Sequence, residues 1–300
     1  MKSFFIYNPI AGSGNKTEIF YEKINELKNK YAEIEVIETK NVGDATIITK
    51  RLIEEHENET INIFACGGDG TSCEVVNGLA TARNVNFGIV PTGSCNDFLK
   101  NFENYDFMNL ENQLNGEIKT IDCLKVNDYY CLNVCNIGFD AKVNYDQIQL
   151  RQKYHNVKKA YNKAIIKNLL KKLGDEVRII VDKKEVFNGK SLLMVFGNGE
   201  HYGGSFQPFK NTSLNDGICD MMVVKKVGII RFASLLGRYK VGEVYNNPKI
   251  KVVKSFVGKD IEINSPNILT VCIDGETIFT KHIHINIIPK TINFIIPKTL

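Results

Sequence analysis

The chain has 300 residues, of which 43% are hydrophobic and 24% charged, with 38 basic against 34 acidic side chains and no tryptophan. That length makes two domains the default, at roughly 100–200 residues each, and the apolar content excludes a wholly disordered chain. A net charge of +4 is too mild to point to a dedicated nucleic-acid binder.

In the first third, short apolar runs alternate with amphipathic stretches. Phe4–Tyr7, Ile34–Ile37, Ile61–Cys66 and Phe87–Val90 read as buried strands bounded by turn residues. Between them, 16–30, 44–57 and 71–82 carry apolar residues at helical spacing, as Ile19, Tyr21, Ile24, Leu27 and Tyr31 do in the first. Strands alternating with helices predict a parallel sheet covered by helices, with ligands beyond the carboxyl ends of the strands.

From about 118 the pattern changes. Ile118–Val126, Tyr129–Val134, Val177–Val181, Leu192–Phe196, Cys219–Val224, Lys251–Ser255, Ile261–Ile263 and Leu269–Ile273 read as strands. They predict an antiparallel sandwich or barrel, with Asp182-Lys183-Lys184 as a hairpin tip. Helical stretches at 151–173 and 227–240 interrupt it. Residues 282–296 are strand-like again, with Pro289 and Pro297 as breaks. The eight cysteines form no C-x-x-C pair and have mostly apolar neighbours, which predicts buried reduced thiols. The apolar run at Phe4–Tyr7 is too short for a signal peptide, and no run approaches a membrane span. A cytoplasmic protein is therefore expected.

Three glycine-rich turns follow strands of the first third: Asn8-Pro9-Ile10-Ala11-Gly12-Ser13-Gly14, Gly67-Gly68-Asp69-Gly70-Thr71 and Pro91-Thr92-Gly93-Ser94-Cys95-Asn96-Asp97. A parallel sheet gathers all three at one edge. Glycine lets a backbone approach a ligand closely, and the helix N-termini that follow aim N–H groups outward, which suits phosphate. Neither standard phosphate fingerprint fits. Gly12-Ser13-Gly14-Asn15-Lys16-Thr17 has no glycine directly before its lysine, and position 17 is Thr where the dinucleotide pattern needs its third glycine.

These residues resemble the diacylglycerol kinase catalytic domain, and in particular the bacterial diacylglycerol and related lipid kinases, along nearly the whole chain. Gly67-Gly68-Asp69-Gly70-Thr71 with Glu74-Val75-Val76-Asn77-Gly78 is similar to that family's G-G-D-G-T-x-x-E-V-x-N-G. Pro91-x-Gly93-x-x-Asn96-Asp97-Phe98 is similar to its P-x-G-T-x-N-D-F, and Thr39 with Gly43-Asp44-Ala45 to its T…G-D-A. Asn136-x-Gly138-Phe139-Asp140, Gly197-Asn198 with Gly203-Gly204, Asp216-Gly217-x-x-Asp220 and Asp274-Gly275-Glu276 follow in the family's order. Two positions depart from the pattern. Ser94 replaces a threonine, and Lys100 stands where arginine is common, without the planar fork for a bidentate phosphate contact.

The resemblance implies an α/β fold. A three-layer α/β nucleotide-binding domain over 1–122, related to NAD kinases and 6-phosphofructokinases, would be rejoined by 285–300. A β-rich, sandwich-like lipid-substrate domain would span 123–284. It also implies an ATP-dependent lipid kinase that phosphorylates diacylglycerol or a related lipid. ATP would be held by Asn8, Pro9, Ala11, Gly12, Ser13, Gly14, Thr39, Gly67, Gly68, Asp69, Gly70, Thr71, Thr92 and Asn96. Asp69 would act in a catalytic Mg²⁺ network with Asp122, since Mg²⁺ prefers hard oxygen ligands. Ser213, Asp216 and Ile218 match a second, structural Mg²⁺ site, and Glu276 matches the general base. A homodimer is a family expectation. Two alternatives stay open. One is an NAD kinase-like enzyme, although Cys95-Asn96-Asp97 stands where a T-P-T-G-S-T-like stretch would run on. The other is a non-catalytic lipid- or nucleotide-binding regulator, against which Asp69, Asp216 and Glu276 speak.

The charge is unevenly placed. Residues 151–172 hold eight basic side chains and no acidic one. Val157, Tyr161, Ile165, Leu169 and Leu173 add an apolar stripe, so 151–173 reads as a basic amphipathic helix suited to an anionic membrane surface. A docked helix with a solvated basic face is the alternative. The basic block accompanies no nucleic-acid motif, so no nucleic-acid partner is expected.

Overall fold

The computed structural model describes every residue except Ser13, Gly14, Asn15, Thr81, His155, Lys172 and Leu300. The chain divides into two units: Met1–Cys123 with Ile288–Leu300, and Leu124–Ile287.

The first unit begins β1 (Ser3–Tyr7), α1 (Lys16–Lys30), β2 (Ile34–Glu38), α2 (Asp44–Glu55), β3 (Ile61–Cys66), α3 (Asp69–Leu79) and β4 (Val85–Val90). A 3-10 turn over Asp97–Asn101, α4 (Leu110–Leu114) and the start of β5 (Glu117–Val126) follow. β3 and β4 are buried at every residue, as continuous apolar runs in a sheet covered on both faces should be. β2, β1, β3 and β4 lie side by side and parallel. The end of the chain adds a further parallel strand beside β4, pairing Asn293 with Asn86 and Phe294 with Phe87. Phe294 anchors that return, with its ring stacked on Phe102 at 5.1 Å and edge-on to Phe98 at 5.2 Å. Under α1, Phe20, Ile24 and Leu27 pack on Phe5, Tyr7 and Phe64.

The second unit comprises β6 (Tyr129–Cys131), β7 (Val134–Gly138), α5 (Phe139–Tyr154), α6 (Val157–Leu169), β8 (Asp175–Val181), β9 (Lys184–Gly197) and β10 (Cys219–Lys225). It continues through α7 (Ile229–Lys240), β11 (Val253–Gly258), β12 (Asp260–Ile273) and most of β13 (Glu276–Ile296). All its named pairings are antiparallel, running β11-β10-β9-β7-β12-β13, with β8 bridging β9 and β12. Alternation divides the side chains between two cores. Met194, Phe196, Met221 and Val223 face a core within the β structure, whereas Val195, Met222 and Val224 face one under α5, α6 and α7. Asp182 and Lys183 both adopt positive φ at the β8–β9 tip, as a two-residue hairpin turn requires.

Three sequence readings change. The helix expected over 151–173 is two helices, starting at Phe139 and interrupted between Tyr154 and Val157. Tyr129–Val134 holds two strands rather than one. Pro289 does not end the last strand. There β13 leaves β12 and goes on to pair with β4, with Lys290 at φ 50°. All eight cysteines are free, and Cys95 alone is exposed.

Candidate functional site

In the first unit the parallel sheet brings the ends of β1, β3 and β4 to one edge, and their turns interlock. Asn8 donates its backbone N–H to Cys66 O at 2.9 Å and its side-chain amide to Thr71 Oγ1 at 3.1 Å. Its own Oδ1 accepts from Ile10 N, which curls the first turn. Pro9 and Gly12 are exposed there and Ala11 is half-buried, whereas Ser13 and Gly14 lie outside the described residues. Gly67 O accepts from Gly93 N at 2.8 Å and from Asn96 Nδ2 at 2.9 Å. A Cβ on Gly93 would stand 2.2 Å from Gly68 Cα, and one on Gly67 2.2 Å from Thr71 Oγ1. The glycines are therefore needed for the turns to touch, apart from any ligand.

Gly68 precedes α3, and Asp69, Gly70 and Thr71 form its first turn. Asp69 Oδ1 accepts the Asp97 N–H at 2.6 Å, which fixes the carboxylate between the second and third turns. Lys100 forms an ion pair with Asp97, so the lysine that replaces arginine is engaged within its own turn. Thr92 is fully buried, and its Oγ1 meets no hydrogen-bond partner among the described residues. Such a hydroxyl costs roughly 1–3 kcal/mol unless another group completes it. Thr39 is buried at the end of β2, its N–H on Tyr7 O at 2.9 Å. Part of the glycine-rich signature is packing alone. Glu74 accepts from Ala45 N at the start of α2, and a Cβ on Gly78 would lie 2.5 Å from Thr49 Cβ.

Asp122 is fully buried, and its Oδ1 accepts from Lys290 N at 2.7 Å. Its carboxylate thereby holds the left-handed bend of the last strand. Among the described residues no group of three or more His, Cys, Asp or Glu is arranged to hold a metal.

In the second unit Glu276 is exposed at the start of β13, straight after the positive-φ pair Asp274-Gly275. The neighbouring Asp274 has a different task. Its two oxygens accept from Leu132 N at 2.6 Å, Val134 N at 2.9 Å and Asn133 N at 3.2 and 3.3 Å. Burial pushes the Asp274 carboxyl up, and these N–H groups pull against it. From the other side Asn144 on α5 donates to Gly275 O at 3.1 Å. Asp274 and Asn144 thus fix the turn that presents Glu276. The sequence carries no signal for this, because the N–H groups come from 140 or more residues earlier.

Asp216 accepts the N–H of Ile218 at 3.0 Å, and Ser213 Oγ donates to Asn215. Asp216 and Glu200 add their charge to the burial that raises the Asp220 carboxyl. This loop is therefore locally electronegative, with oxygen donors of the kind a hard cation takes.

The apolar stripe of the basic segment is docked on the second unit, the second of the two arrangements the sequence left open. Tyr161, Ile165, Leu169 and Leu173 pack inward on the core beneath the helices, and the side chain of Val157 and all of Lys172 lie outside the described residues. Lys167 and Lys171 both reach buried Asp146, at 2.7 and 3.3 Å. Burial raises the Asp146 carboxyl, but these bonds and that of Asn168 outweigh it, and the net shift is downward. Arg151, Lys153, Lys158, Lys159 and Lys163 are exposed, with Lys159 and Lys163 over the Tyr154 ring at 5.3 and 4.7 Å. No helix among the described residues is long and apolar enough to cross a membrane.

Residues 2–126 match the family model of the diacylglycerol kinase catalytic domain, and residues 133–296 that of the YegS C-terminal NAD kinase beta sandwich-like domain. A diacylglycerol kinase of Bacillus subtilis strain 168 is 30% identical over 299 residues, covering 95% of each chain. The crystal structure of a diacylglycerol kinase from Bacillus anthracis str. Sterne has the same fold, with a TM-score of 0.74 at 23% identity over 100% of this chain and 98% of that one. An NAD kinase from Archaeoglobus fulgidus, solved in complex with ATP, is more distant, with a TM-score of 0.52 at 14% identity over 100% and 94% of the two chains. With both of its units matched in order, the chain belongs to the bacterial diacylglycerol and lipid kinase family.

Proposed function

We propose that the protein is an ATP-dependent lipid kinase that transfers the γ-phosphoryl group of ATP to the hydroxyl of diacylglycerol or a related lipid. The observation that carries this reading is the interlocked set of three turns in the first unit. Backbone N–H groups at the start of α3, glycines that admit close approach and the buried Thr92 hydroxyl suit a chain of phosphates. Asn8, Pro9, Ala11, Gly12, Thr39, Gly67–Thr71, Thr92 and Asn96 would bind ATP, joined by Ser13 and Gly14 of the same turn.

Phosphoryl transfer needs positioning and charge neutralisation more than covalent chemistry. Mg²⁺, when bound, would supply that neutralisation. Asp69 offers it a carboxylate held in place by Asp97 N, while the Asp216 carboxylate with the carbonyls of Ser213 and Ile218 would hold a second ion. Asp122 would support this arrangement from within the first unit. Glu276 would accept the proton of the attacking lipid hydroxyl, a role that suits an exposed carboxylate on a rigid turn.

The test is a radiolabelled-ATP assay over a panel of lipid alcohols and NAD. Label is expected in diacylglycerol or a related lipid, falling at least ~100-fold in Asp69→Ala and Glu276→Ala. Label in NAD alone would favour the small-molecule kinase. ATP binding with label in no acceptor would favour the regulator.

We also propose peripheral contact with the anionic inner face of the membrane through the outward side of 151–173. The exposed cations outside the Asp146 ion pairs lie around the α5–α6 junction, since Lys167 and Lys171, although exposed, are engaged by Asp146. Each cation near an anionic surface contributes about 1 kcal/mol. Charge reversal at Lys158, Lys159 and Lys163 should therefore weaken co-sedimentation with phosphatidylserine-containing vesicles by roughly a hundredfold or more at low salt. Unchanged sedimentation would remove this face from consideration.

A further inference from the structure

Helix α7 is apolar on both of its sides. Phe232, Leu235 and Tyr239 turn inward to the core that α7 shares with α5 and α6, and the ring of Phe232 meets that of Phe139 on α5 edge-on at 5.1 Å. Helical spacing sets Ile230, Ala233 and Gly237 on the opposite side. Ile230 is 89% exposed, and Ile229, Leu236 and Val241 are exposed beside it. A Cβ on Gly237 would meet nothing within 4 Å. A helix that is apolar all round belongs in an interior. Here one side lies open, and clustered exposed apolar side chains mark an interaction surface.

Charge selects the partner. From Lys225 to Gly242 the chain has five basic residues, Lys225, Lys226, Arg231, Arg238 and Lys240, and no acidic one. All five are exposed, and Arg238 also reaches Glu243 at 3.5 Å, between half-exposed side chains. A second copy of this chain would bring the same five cations against these, and a nucleic acid would leave the isoleucines bare. An anionic bilayer meets both needs, with phosphates for the cations and acyl chains for the isoleucines. The helix has 12 residues, about 18 Å. That is too short to cross a bilayer, so the helix lies in its surface, with long basic side chains reaching back to the phosphates.

α5, α6 and α7 cover the same core of the sheet, so the open face of α7 and the exposed cations at the α5–α6 junction lie on one side of the second unit. We propose that α7 inserts flat into the head-group layer of an anionic membrane, with Ile229, Ile230, Leu236 and Val241 among the acyl chains and the five flanking cations at the phosphates. This deepens the membrane contact proposed for 151–173. The cations of the α5–α6 junction draw the protein to the surface, and α7 holds it there. Insertion depends on the helix face alone and is measured without phosphoryl transfer, so it stands or falls apart from the lipid-kinase reading.

The chain has no tryptophan, so Ile230→Trp places a single fluorophore on the open face. With vesicles of equal parts phosphatidylglycerol and phosphatidylcholine, its emission should shift to the blue, and bromine on the acyl chains should quench it. Tyr129→Trp, at an exposed position on β6 paired with Val126 of the other core, should show neither effect. The double variant Ile229→Ser, Ile230→Ser changes only exposed positions and should fold as the wild type does. It should weaken co-sedimentation with these vesicles roughly a hundredfold. The loss should persist at high salt, where the contribution of the cations is screened. Phosphorylation of a soluble short-chain diacylglycerol should be unchanged in it. No blue shift in Ile230→Trp, equal quenching in Tyr129→Trp, unchanged sedimentation of the serine variant, or a dimer that the serine variant dissociates would each overturn the proposal, the last in favour of a second copy. A protein that inserts α7 yet phosphorylates no lipid keeps this surface and loses the kinase reading. One that phosphorylates membrane diacylglycerol without insertion keeps the kinase reading and loses the surface.

Discussion

Gly93→Ala is expected to lower kcat/KM for ATP by about a hundredfold or more while the second unit stays folded. The added Cβ would sit 2.2 Å from Gly68 Cα and 2.5 Å from Gly68 N. Both are backbone atoms, so no rotamer relieves the clash. The second and third turns must separate, which stretches the Gly93 N–Gly67 O and Asn96 Nδ2–Gly67 O bonds that set their spacing. A displacement near 1 Å in a positioning group costs about a hundredfold in rate, and overpacking of this kind costs roughly 1–3 kcal/mol in stability. Gly43→Ala is the control. Its Cβ would meet nothing within 4 Å, and only the strain of φ +91° at the start of α2 remains, so activity should hold with a small loss of stability. Steady-state kinetics with thermal unfolding of each variant separates the two effects. Near-native activity in Gly93→Ala would show that the spacing of the turns does not matter to the chemistry.

The elements legible in the sequence are those whose burial is uniform. β1, β3 and β4 lie in a sheet covered on both faces, so they read as unbroken apolar runs, and glycine marks the turns that follow them. The first turns of α5 were not legible. Phe139 and Val143 face the core, but Asn144 and Asp146 on the same stretch are spent on tertiary hydrogen bonds, which blurs the apolar period. The sequence marks a helix only from Arg151 on, where charge stands out. The stripe from Tyr161 to Leu173 was legible as apolar, but periodicity gives only the existence of such a face. Whether it meets a sheet or a membrane is decided by tertiary contacts, here those with the core under the helices. Pro289 illustrates the converse: it removes one N–H donor at the point where β13 exchanges one partner strand for another, so no ladder is broken.

The choice between the two carboxylates of the Asp274-Gly275-Glu276 turn rested on family likeness in the sequence. The geometry now gives them opposite expected behaviour. Asp274 spends both oxygens on three backbone N–H groups. Asp274→Asn replaces one acceptor with an amide NH₂ that faces N–H donors, leaving buried groups unpaired at a cost of about 1–3 kcal/mol. It should lower the unfolding temperature and reduce kcat, yet kcat/KM should still fall at low pH as in the wild type, because the proposed base is still present. Glu276 is exposed and begins the strand. Glu276→Gln should leave stability within about 0.5 kcal/mol and reduce kcat by roughly 10²–10⁴. The residual rate should lose the low-pH fall expected of a reaction that needs its proposed base ionised. Thermal unfolding and pH–rate profiles of the two variants therefore diverge in opposite directions. A low-pH limb that disappears in Asp274→Asn and persists in Glu276→Gln would exchange the roles, making the buried carboxylate the base and the exposed one a bystander.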